Sequence, residues 1–407
     1  MRTGAALLTA RKLWQPAGQA CRNCGAPVTE SFCDLGLVAL SAAPVMRNAS
    51  APRMHPLHAL VCEECRLVQL SASAGHAPAA PAGPDAVLAE QLIERLHLHG
   101  GTLALEAGAP SAGFLPTLAA QGIPVLAVAP ERAALRSARE LGVPIEPTRL
   151  GAAAARRLRG LGLAPVLIHA GDALAAEGDP HDLVAGLRLL LAPGGVAVLT
   201  LPHLLPLVRD LRIDLLRPDR LSLFTLATAE MLLAEHGLAV VEAEPAEGGE
   251  AIHLLARHVE DAGQPVAPSV EAMRLREMEA GLDRLATYGA VAPRLVAAKC
   301  ALLDFLLGLR QAGRRVVAYG ATPGADQLFR FCGIGPELLP CIAEPGCPEA
   351  GLCLPASRIP LRPPAAVAAS APDYVLLPGS DTGAQAIAEI RGWGARAVLP
   401  LPTLQIL

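Results

Sequence analysis

The chain has 407 residues, which is long enough for two or three domains. Apolar residues make up 52% and charged residues 18% of it, so it can bury several cores and is unlike a disordered protein. A net charge of -4 gives no reason to expect nucleic acid as a partner.

No run of about 18 uncharged apolar residues occurs, so the sequence predicts no membrane span. Residues Met1–Trp14 have some apolar character, but Arg11 and Lys12 interrupt it and no longer apolar region follows. The start therefore does not read as a signal peptide, and a cytoplasmic protein is expected.

Two cysteine pairs form the sharpest motif, Cys21-Arg-Asn-Cys24 and Cys62-Glu-Glu-Cys65. Each Cys-x-x-Cys turn directs two thiolates at one point, and two such turns complete a tetrahedral four-sulfur zinc site. Four thiolates leave no open coordination position, so a bound zinc is expected to be structural. The alternatives are a redox dithiol pair or ordinary core cysteines.

Other possible ligands lie between the two pairs. Cys33 is expected to be a bystander, and His55 and His58 can also coordinate, although four cysteines make them unnecessary. Strands are expected around residues 37–40 and 57–60, as in a zinc ribbon. Residues 71–86 are rich in Ala, Pro and Gly and are typical of a linker. A helix over about 87–99 follows.

Residues 103–130 predict the opening βαβ unit of a nucleotide-binding sheet. The strand ends at Glu106, the small-residue loop runs from Gly108 to Gly113, a helix spans 114–121 and a second strand spans 125–128. Glycines in such a loop let backbone N–H groups approach a ligand. An acidic residue usually ends the second strand and holds the ribose hydroxyls, but Ala129-Pro130 stands there.

Alternation of strand and helix continues to about residue 259 and predicts a mostly parallel sheet. Further strands are expected at 144–146, 165–169 and 196–201, with a final antiparallel pair at one edge formed by 238–242 and 251–255. A helical segment over 268–311 is expected to break at Ala292-Pro293. A second Rossmann-like unit then begins with the strand 315–319 and the loop Gly320–Gly324.

The fold class expected is α/β, with an N-terminal zinc ribbon, a central Rossmann-like sheet and a small Rossmann-like C-terminal domain. The predicted boundaries are 15–75 for the zinc domain, 87–260 for the central sheet, 261–312 for a helical bridge and 313–407 for the last domain.

The sequence resembles the S-adenosylmethionine-dependent sugar C-methyltransferases, which methylate carbon 3 of a keto-deoxysugar nucleotide. The resemblance lies in CRNCG at 21–25, CEECRLVQL at 62–70, Ala-Pro-Gly-Gly before the fifth strand, and Asp-Tyr-Val-Leu-Leu-Pro at 373–378. It implies a class I methyltransferase (Rossmann-like) sheet for the central domain, a structural zinc, S-adenosylmethionine as methyl donor and a nucleotide-linked sugar as partner. It says nothing of the oligomeric state.

The family's donor loop reads Glu-x-Gly-Ser-Asn-Asp-Gly. The resemblance therefore implies donor binding by Glu106, Gly108 and Gly113, although residues 109–112 have lost the polar side chains. Ala129 replaces the ribose carboxylate; Glu131 can substitute, but it would start a helix.

The family's catalytic segment, Tyr-Asp…His-Glu-His, supplies a base that removes the proton beside the sugar ketone. Here Asp214 is kept and Asp219 replaces the Glu, while Pro218 and Arg220 replace both histidines. Asp214 and Asp219 are thus the candidate catalytic residues, and Arg217 with Arg220 can hold a phosphate. The alternative is a catalytically inactive family member that acts as a binding or partner subunit.

Four histidines and three C-terminal cysteines lie outside these motifs. His169, His181, His203 and His253 are scattered and are expected to be structural. Three C-terminal cysteines, Cys341, Cys347 and Cys353, are a weaker candidate for a second metal site.

Overall fold

A computed structural model describes residues 19–41, 43–72, 86–130, 132–246, 248–261, 265–347, 351–379 and 384–407. The expectations for Met1–Trp14, for residues 73–85 of the linker and for Glu131 lie outside these ranges. Within them, no helix is both long and apolar enough to cross a membrane.

The N-terminal module consists of antiparallel strands. They are β1 (Gln19–Ala20), β2 (Pro27–Val28), β3 (Glu30–Ala39), β4 (Val45–Met46), β5 (Met54–Val61) and β6 (Val68–Leu70). Strands β1 and β2 pair around the first cysteine turn, and β3, β5 and β6 form the main sheet of the module. Of the two ribbon strands predicted from sequence, 37–40 overlaps the end of β3 and 57–60 falls inside β5.

The central domain follows the predicted alternation of strand and helix. Its elements are α1 (Ala86–Arg95), β7 (Ala104–Ala107), α2 (Phe114–Ala120), β8 (Val125–Val128), α3 (Arg132–Leu141), β9 (Ile145–Glu146), α4 (Ala152–Gly160), β10 (Leu167–His169), α5 (Ala173–Ala176), α6 (Pro180–Leu190), β11 (Val196–Pro202), α7 (Leu204–Asp210), β12 (Ser222–Leu223), α8 (Leu226–Glu235), β13 (Leu238–Pro245) and β14 (Ala251–His258).

Seven of these strands form one sheet in the order β13-β14-β11-β10-β7-β8-β9. The first five in sequence run parallel, and β14 pairs antiparallel with both β11 and β13. Helices pack on both faces because the central strands are apolar on both sides; all four residues of β7, for example, are buried. The crossovers reverse direction at β7 and β10, where open parallel sheets bind ligands at the strands' carboxyl ends.

The helical bridge is interrupted twice. It consists of α9 (Pro268–Glu279), α10 (Leu285–Gly289) and α11 (Val291–Gln311). The first interruption lies at residues 280–284, where Gly281 has a φ of +73°, and it was not predicted. The second lies at Ala290, two residues before the predicted break at Ala292-Pro293. Pro293 stands in the first turn of α11, where N–H groups have no acceptor within the helix.

The C-terminal domain is a second, smaller Rossmann-like sheet. Its elements are β15 (Val316–Tyr319), α12 (Pro323–Cys332), β16 (Ile342–Ala343), β17 (Leu352–Cys353), β18 (Leu361–Arg362), α13 (Pro364–Ala369), β19 (Tyr374–Leu376), α14 (Ala384–Gly392), β20 (Arg396–Leu399) and β21 (Gln405–Ile406). The order is β18-β16-β15-β19-β20-β21, and only β21 runs antiparallel. The α/β fold class with its three parts is confirmed.

The three parts share strands and core. Strand β12 of the central domain joins the N-terminal sheet beside β6, and β17 of the C-terminal domain pairs with β4. One apolar cluster contains residues of β3, α7, α11 and α12. Buried Glu277 connects the bridge to the central domain. Its Oε1 lies 2.8 Å from Nε2 of His203 and accepts a hydrogen bond from the N–H of Leu226. Strands of the N-terminal module thus pair with strands of both other domains.

Candidate functional site

The four paired cysteines lie together. Their sulfur atoms are all within 4.8 Å of one another, with 3.5 Å between Cys21 and Cys65 and 3.5 Å between Cys24 and Cys62. Zinc bound to four thiolates at about 2.3 Å separates them by roughly 3.8 Å, so the group fits a tetrahedral zinc ion. The hydrogen bond from the Cys65 thiol lowers the pKa of Cys21 to about 5 against the opposing effect of burial, and it raises that of Cys65. Thiolate is the form that binds metal.

The other candidate ligands are not part of this group. Cys33 packs in the apolar core, and burial raises the pKa of its thiol to about 12. His58 lies 2.9 Å from the Ser31 hydroxyl and His55 lies 3.5 Å from the Ala72 carbonyl oxygen. Within the ranges that the structure describes, the four paired cysteines are the only metal-binding group of three or more such residues, so the C-terminal cysteines form no second site there.

The donor loop begins at the carboxyl end of β7 with a buried carboxylate. Glu106 Oε2 accepts from the N–H of Ser111 at 3.3 Å, and Oε1 lies 3.3 Å from His169 Nδ1. Because a carboxylate only accepts, His169 carries its proton on Nδ1. The imidazole stacks on Phe114 with 4.2 Å between ring centroids. Its Nε2 is buried and has no hydrogen-bond partner among the described residues.

Two observations at this loop fit a bound ligand. Gly108 has a φ of +118°, which side-chain-bearing residues rarely adopt, and a Cβ built on it would have only Ala173 within 4 Å. Backbone there can approach a ligand closely. The orphaned Nε2 of His169 is a buried acceptor for a polar ligand group. Gly113 precedes α2 and leads the loop into it.

The residues expected to hold the adenosine part of S-adenosylmethionine fit this ligand less well than the loop does. Ala129 follows β8, is fully buried, and donates its N–H to the carbonyl oxygen of Glu146. Its methyl group offers nothing to ribose hydroxyls, and Glu131 lies outside the described residues. The loop therefore fits S-adenosylmethionine, while the ribose lacks the carboxylate that normally holds it.

The two candidate bases lie on one segment, residues 213–224, which we call the strap. Asp214 is in a 3₁₀ turn and accepts hydrogen bonds from both Nε and Nη2 of Arg212, of which the one from Nη2 is 2.7 Å. Arg212 also binds Glu250. Burial alone would lower the pKa of Arg212, but its hydrogen bonds to Asp214 and Glu250 and their charges raise it. Asp214 faces the C-terminal domain. A Cβ built on Gly324 of that domain would lie 2.5 Å from the Cβ of Asp214.

Asp219 occupies the turn in the middle of the strap. Arg217 holds it with two hydrogen bonds, Nε to Oδ1 at 3.0 Å and Nη2 to Oδ2 at 2.6 Å. Arg220 contacts Asp172, which follows β10, with Nε 3.3 Å from Oδ2. The N–H of Leu221 donates to the carbonyl oxygen of Ala175. This turn therefore lies at the carboxyl end of β10, next to the donor loop.

Sequence reasoning missed two residues that contact the candidate site residues. His169, expected to be structural only, lies directly beside Glu106 in the parallel register of β10 and β7. Strand order would have revealed it, since both residues stand near the ends of neighbouring strands. Arg212 gives no local sequence signal for its contact with Glu250, which is 38 positions away.

Two family models match the chain. Residues 245–402 match the model described as "C-methyltransferase C-terminal domain", and residues 21–77 match "Putative zinc binding domain". The resemblance to the C-methyltransferases is confirmed. The zinc-binding model contains all four clustered cysteines, so the chain carries a zinc-binding domain.

A curated relative matches nearly the full length. C-methyltransferase NovU from Streptomyces niveus is 25% identical over 411 residues, covering 95% of this chain and 96% of the relative. That coverage extends the family similarity to residues 78–244, which neither family model matches and which contain most of the central sheet.

Solved structures are similar only loosely. The glycopeptide N-methyltransferase MtfA complexed with S-adenosyl-L-methionine is 15% identical over 45% of this chain and 99% of its own, with a TM-score of 0.34. An O-methyltransferase family protein from Burkholderia thailandensis is 16% identical over 43% of this chain and 57% of its own, with a TM-score of 0.32. Scores this low carry no argument about ligand or activity.

Proposed function

We propose that this chain transfers a methyl group from S-adenosylmethionine to a carbon beside the ketone of a nucleotide-linked keto-deoxysugar. One observation carries the proposal: the donor loop and the strap meet at the carboxyl ends of β7 and β10. Ala173 lies beside Gly108, and its neighbour Asp172 contacts Arg220 of the strap. A donor at the loop and an acceptor under the strap are then neighbours.

Asp219 is the better of the two candidate bases. Each carboxylate is paired with an arginine, but Asp214 also packs against Gly324 of the C-terminal domain. Asp219 sits at the turn beside Arg220, and Arg217 fixes the direction of its carboxylate. A base must be held within hydrogen-bond reach of the proton it removes, and a bidentate arginine provides that orientation.

In this proposal Asp219 and Arg220 have separate roles in the reaction. Asp219 takes the proton from the carbon beside the ketone, and the electron pair of the broken C–H bond moves onto the carbonyl oxygen. Arg220 has its two Nη atoms without a hydrogen bond within the described residues, so its charge is available for the resulting enolate oxygen or for a phosphate. S-adenosylmethionine, when bound at Glu106, Gly108 and Gly113, would supply the electrophilic methyl group to the enolate carbon, and the electron pair of its S–CH₃ bond would stay on the sulfur of S-adenosylhomocysteine.

The proton step can be tested without the donor. The zinc-loaded chain is incubated in heavy water with a nucleotide-linked keto-deoxysugar, and mass spectrometry follows deuterium entering the carbon beside the ketone. The proposal predicts exchange well above the buffer rate, and gain of one methylene mass when S-adenosylmethionine is added. Exchange at the buffer rate would contradict the role of the strap as a base.

A second candidate function is a non-catalytic member of the family that acts as a binding or partner subunit. It is favoured by Ala129, which leaves the ribose without a carboxylate, and by the arginine pairing of both Asp214 and Asp219. This function predicts neither deuterium exchange nor binding of S-adenosylhomocysteine. The two candidates therefore differ in both measurements.

A further inference from the structure

The strap is held at both ends by the other two modules. At its start, the buried side-chain amide of Gln327 in α12 donates to the carbonyl oxygens of Ile213 at 3.0 Å and Leu216 at 3.1 Å. At its end, β12 pairs with β6 of the N-terminal module in the register Ser222 to Gln69. The turn carrying Asp219 lies between these two attachments.

The attachment to the N-terminal module runs through Arg22, which lies between the zinc ligands Cys21 and Cys24. Its Nη1 donates to the carbonyl oxygens of Leu221 at 3.0 Å and Leu70 at 3.2 Å, and its Nη2 donates to Leu70 at 3.2 Å. The N–H of Leu70 also donates to the carbonyl oxygen of Leu221. One guanidinium therefore joins the first cysteine turn, the end of β6 and the strap.

The backbone around Arg22 is fixed as well. Gln69 is fully buried; its Oε1 accepts from the N–H of Arg22 at 2.9 Å, and its Nε2 donates to the carbonyl oxygen of Ala20 at 3.2 Å. Gln69 is also the β6 residue that pairs with Ser222 of the strap. The first cysteine turn is thus locked to the strand that carries the strap.

We infer that Arg22 is a positioning residue that transmits the state of the zinc site to the strap. Zinc fixes the cysteines on either side of Arg22 and thereby the direction of the Arg22 guanidinium. Because that guanidinium binds the carbonyl oxygen of Leu221, it also fixes the turn that holds Asp219. Loss of zinc should therefore loosen the strap while leaving the C-terminal sheet ordered. This inference rests on the contacts of Arg22 alone and holds for either proposed function.

Hydrogen–deuterium exchange of the backbone tests it. In the zinc-loaded chain, Arg22→Ala is expected to keep one zinc per chain and to speed exchange at residues 221–223 about tenfold, as expected for losing one or two hydrogen bonds. Exchange at β19 should not change. Arg53→Ala, which removes an exposed arginine of the same module, is the matched control and should behave like the parent chain.

A double-mutant cycle tests whether Arg22 is the link. Cys24→Ser, which removes a zinc ligand, is expected to speed exchange in the strap, and adding it to Arg22→Ala should give little further increase. Two fully additive increases would overturn the inference, as would parent-like strap exchange in zinc-loaded Arg22→Ala.

Arg22→Lys covers the case in which the alanine variant loses zinc or fails to fold. Lysine keeps the charge and a donor but cannot bridge two carbonyl oxygens as the planar fork does. Intermediate exchange at 221–223 supports the positioning role, because the conservative variant then rescues part of the order. Exchange equal to the parent chain overturns it.

Discussion

The carboxylate of Glu106 lies 3.3 Å from Nδ1 of His169, and the two residues stand side by side at the carboxyl ends of neighbouring parallel strands. Both are almost fully buried. The pair sits beneath the donor loop, and the second carboxylate oxygen binds the backbone of that loop through Ser111. It therefore sets the loop conformation on which donor binding depends.

Glu106→Gln should destabilise the chain by about 1–3 kcal/mol. Both Glu106 oxygens face N–H donors, those of Ser111 and His169. A glutamine amide would place its own N–H donors against one of these two groups. Urea unfolding measures the loss, with the exposed Glu90→Gln as the matched control. Equal unfolding midpoints for the two variants would show that the buried pair does not hold the loop.

Cys65→Ser should remove most of the zinc. Elemental analysis is expected to find about one zinc per parent chain and well below one in the variant, and stability should fall because bound zinc contributes folding free energy. Cys300→Ser, which changes an exposed cysteine, should keep the full zinc content. A folded parent chain without zinc would refute the four-cysteine site.

Gly324→Ala should loosen the contact between the C-terminal domain and the strap. The added methyl group would lie 2.5 Å from the Cβ of Asp214, so one of the two must shift, at a cost of about 1–3 kcal/mol. Gly308→Ala in α11 has nothing within 4 Å and should be neutral or slightly stabilising. Thermal unfolding compares them, and an unchanged midpoint for Gly324→Ala would exclude this close contact.

Asp219→Asn should abolish deuterium exchange at the sugar carbon, whereas Asp214→Asn should retain a large part of it. The reason is the different surroundings of the two carboxylates, since Asp214 packs against the C-terminal domain whereas Asp219 stands in the turn beside Arg220 at the carboxyl end of β10. Mass spectrometry of the recovered sugar nucleotide gives both rates. The reverse order of activity would assign the base to Asp214 instead.

Stability should fall as the pH drops below about 6.5. Burial, reinforced by His181, lowers the pKa of His236, and burial with Arg188 lowers that of His258. The unfolded chain then takes up protons first, so stability is present above the unfolded pKa and is lost as the pH falls toward the folded one.

Urea midpoints at about pH 7.5 and 5.5 measure this effect. His236→Gln should reduce the loss of stability between them, whereas the exposed His97→Gln should not. An identical pH dependence in both variants would remove His236 as a cause.

Much of the fold follows from local sequence patterns. The opening strand, loop, helix and strand around Glu106 were predictable because apolar runs and small-residue turns are local signals. The four-cysteine site was predictable because Cys-x-x-Cys spacing itself points the thiols at one place. Pro293 located the start of α11 to within two residues, because proline fits the first turn of a helix but not its interior.

The site depended on contacts that no local pattern encodes. Arg22 reaches Leu221 across 199 positions, and His169 meets Glu106 only once β10 lies beside β7. The pairing of Asp219 with Arg217 was likewise not predicted, although the two are close in sequence, because arginine side chains can point in many directions. Strand order and side-chain direction were the missing information.

Titration calorimetry of the zinc-loaded chain with S-adenosylhomocysteine tests the central claim most directly. Methyl transfer at this site predicts saturable binding at one site per chain, weakened in Glu106→Gln. No detectable heat and no thermal shift at millimolar ligand would contradict the methyltransferase function and favour the non-catalytic subunit.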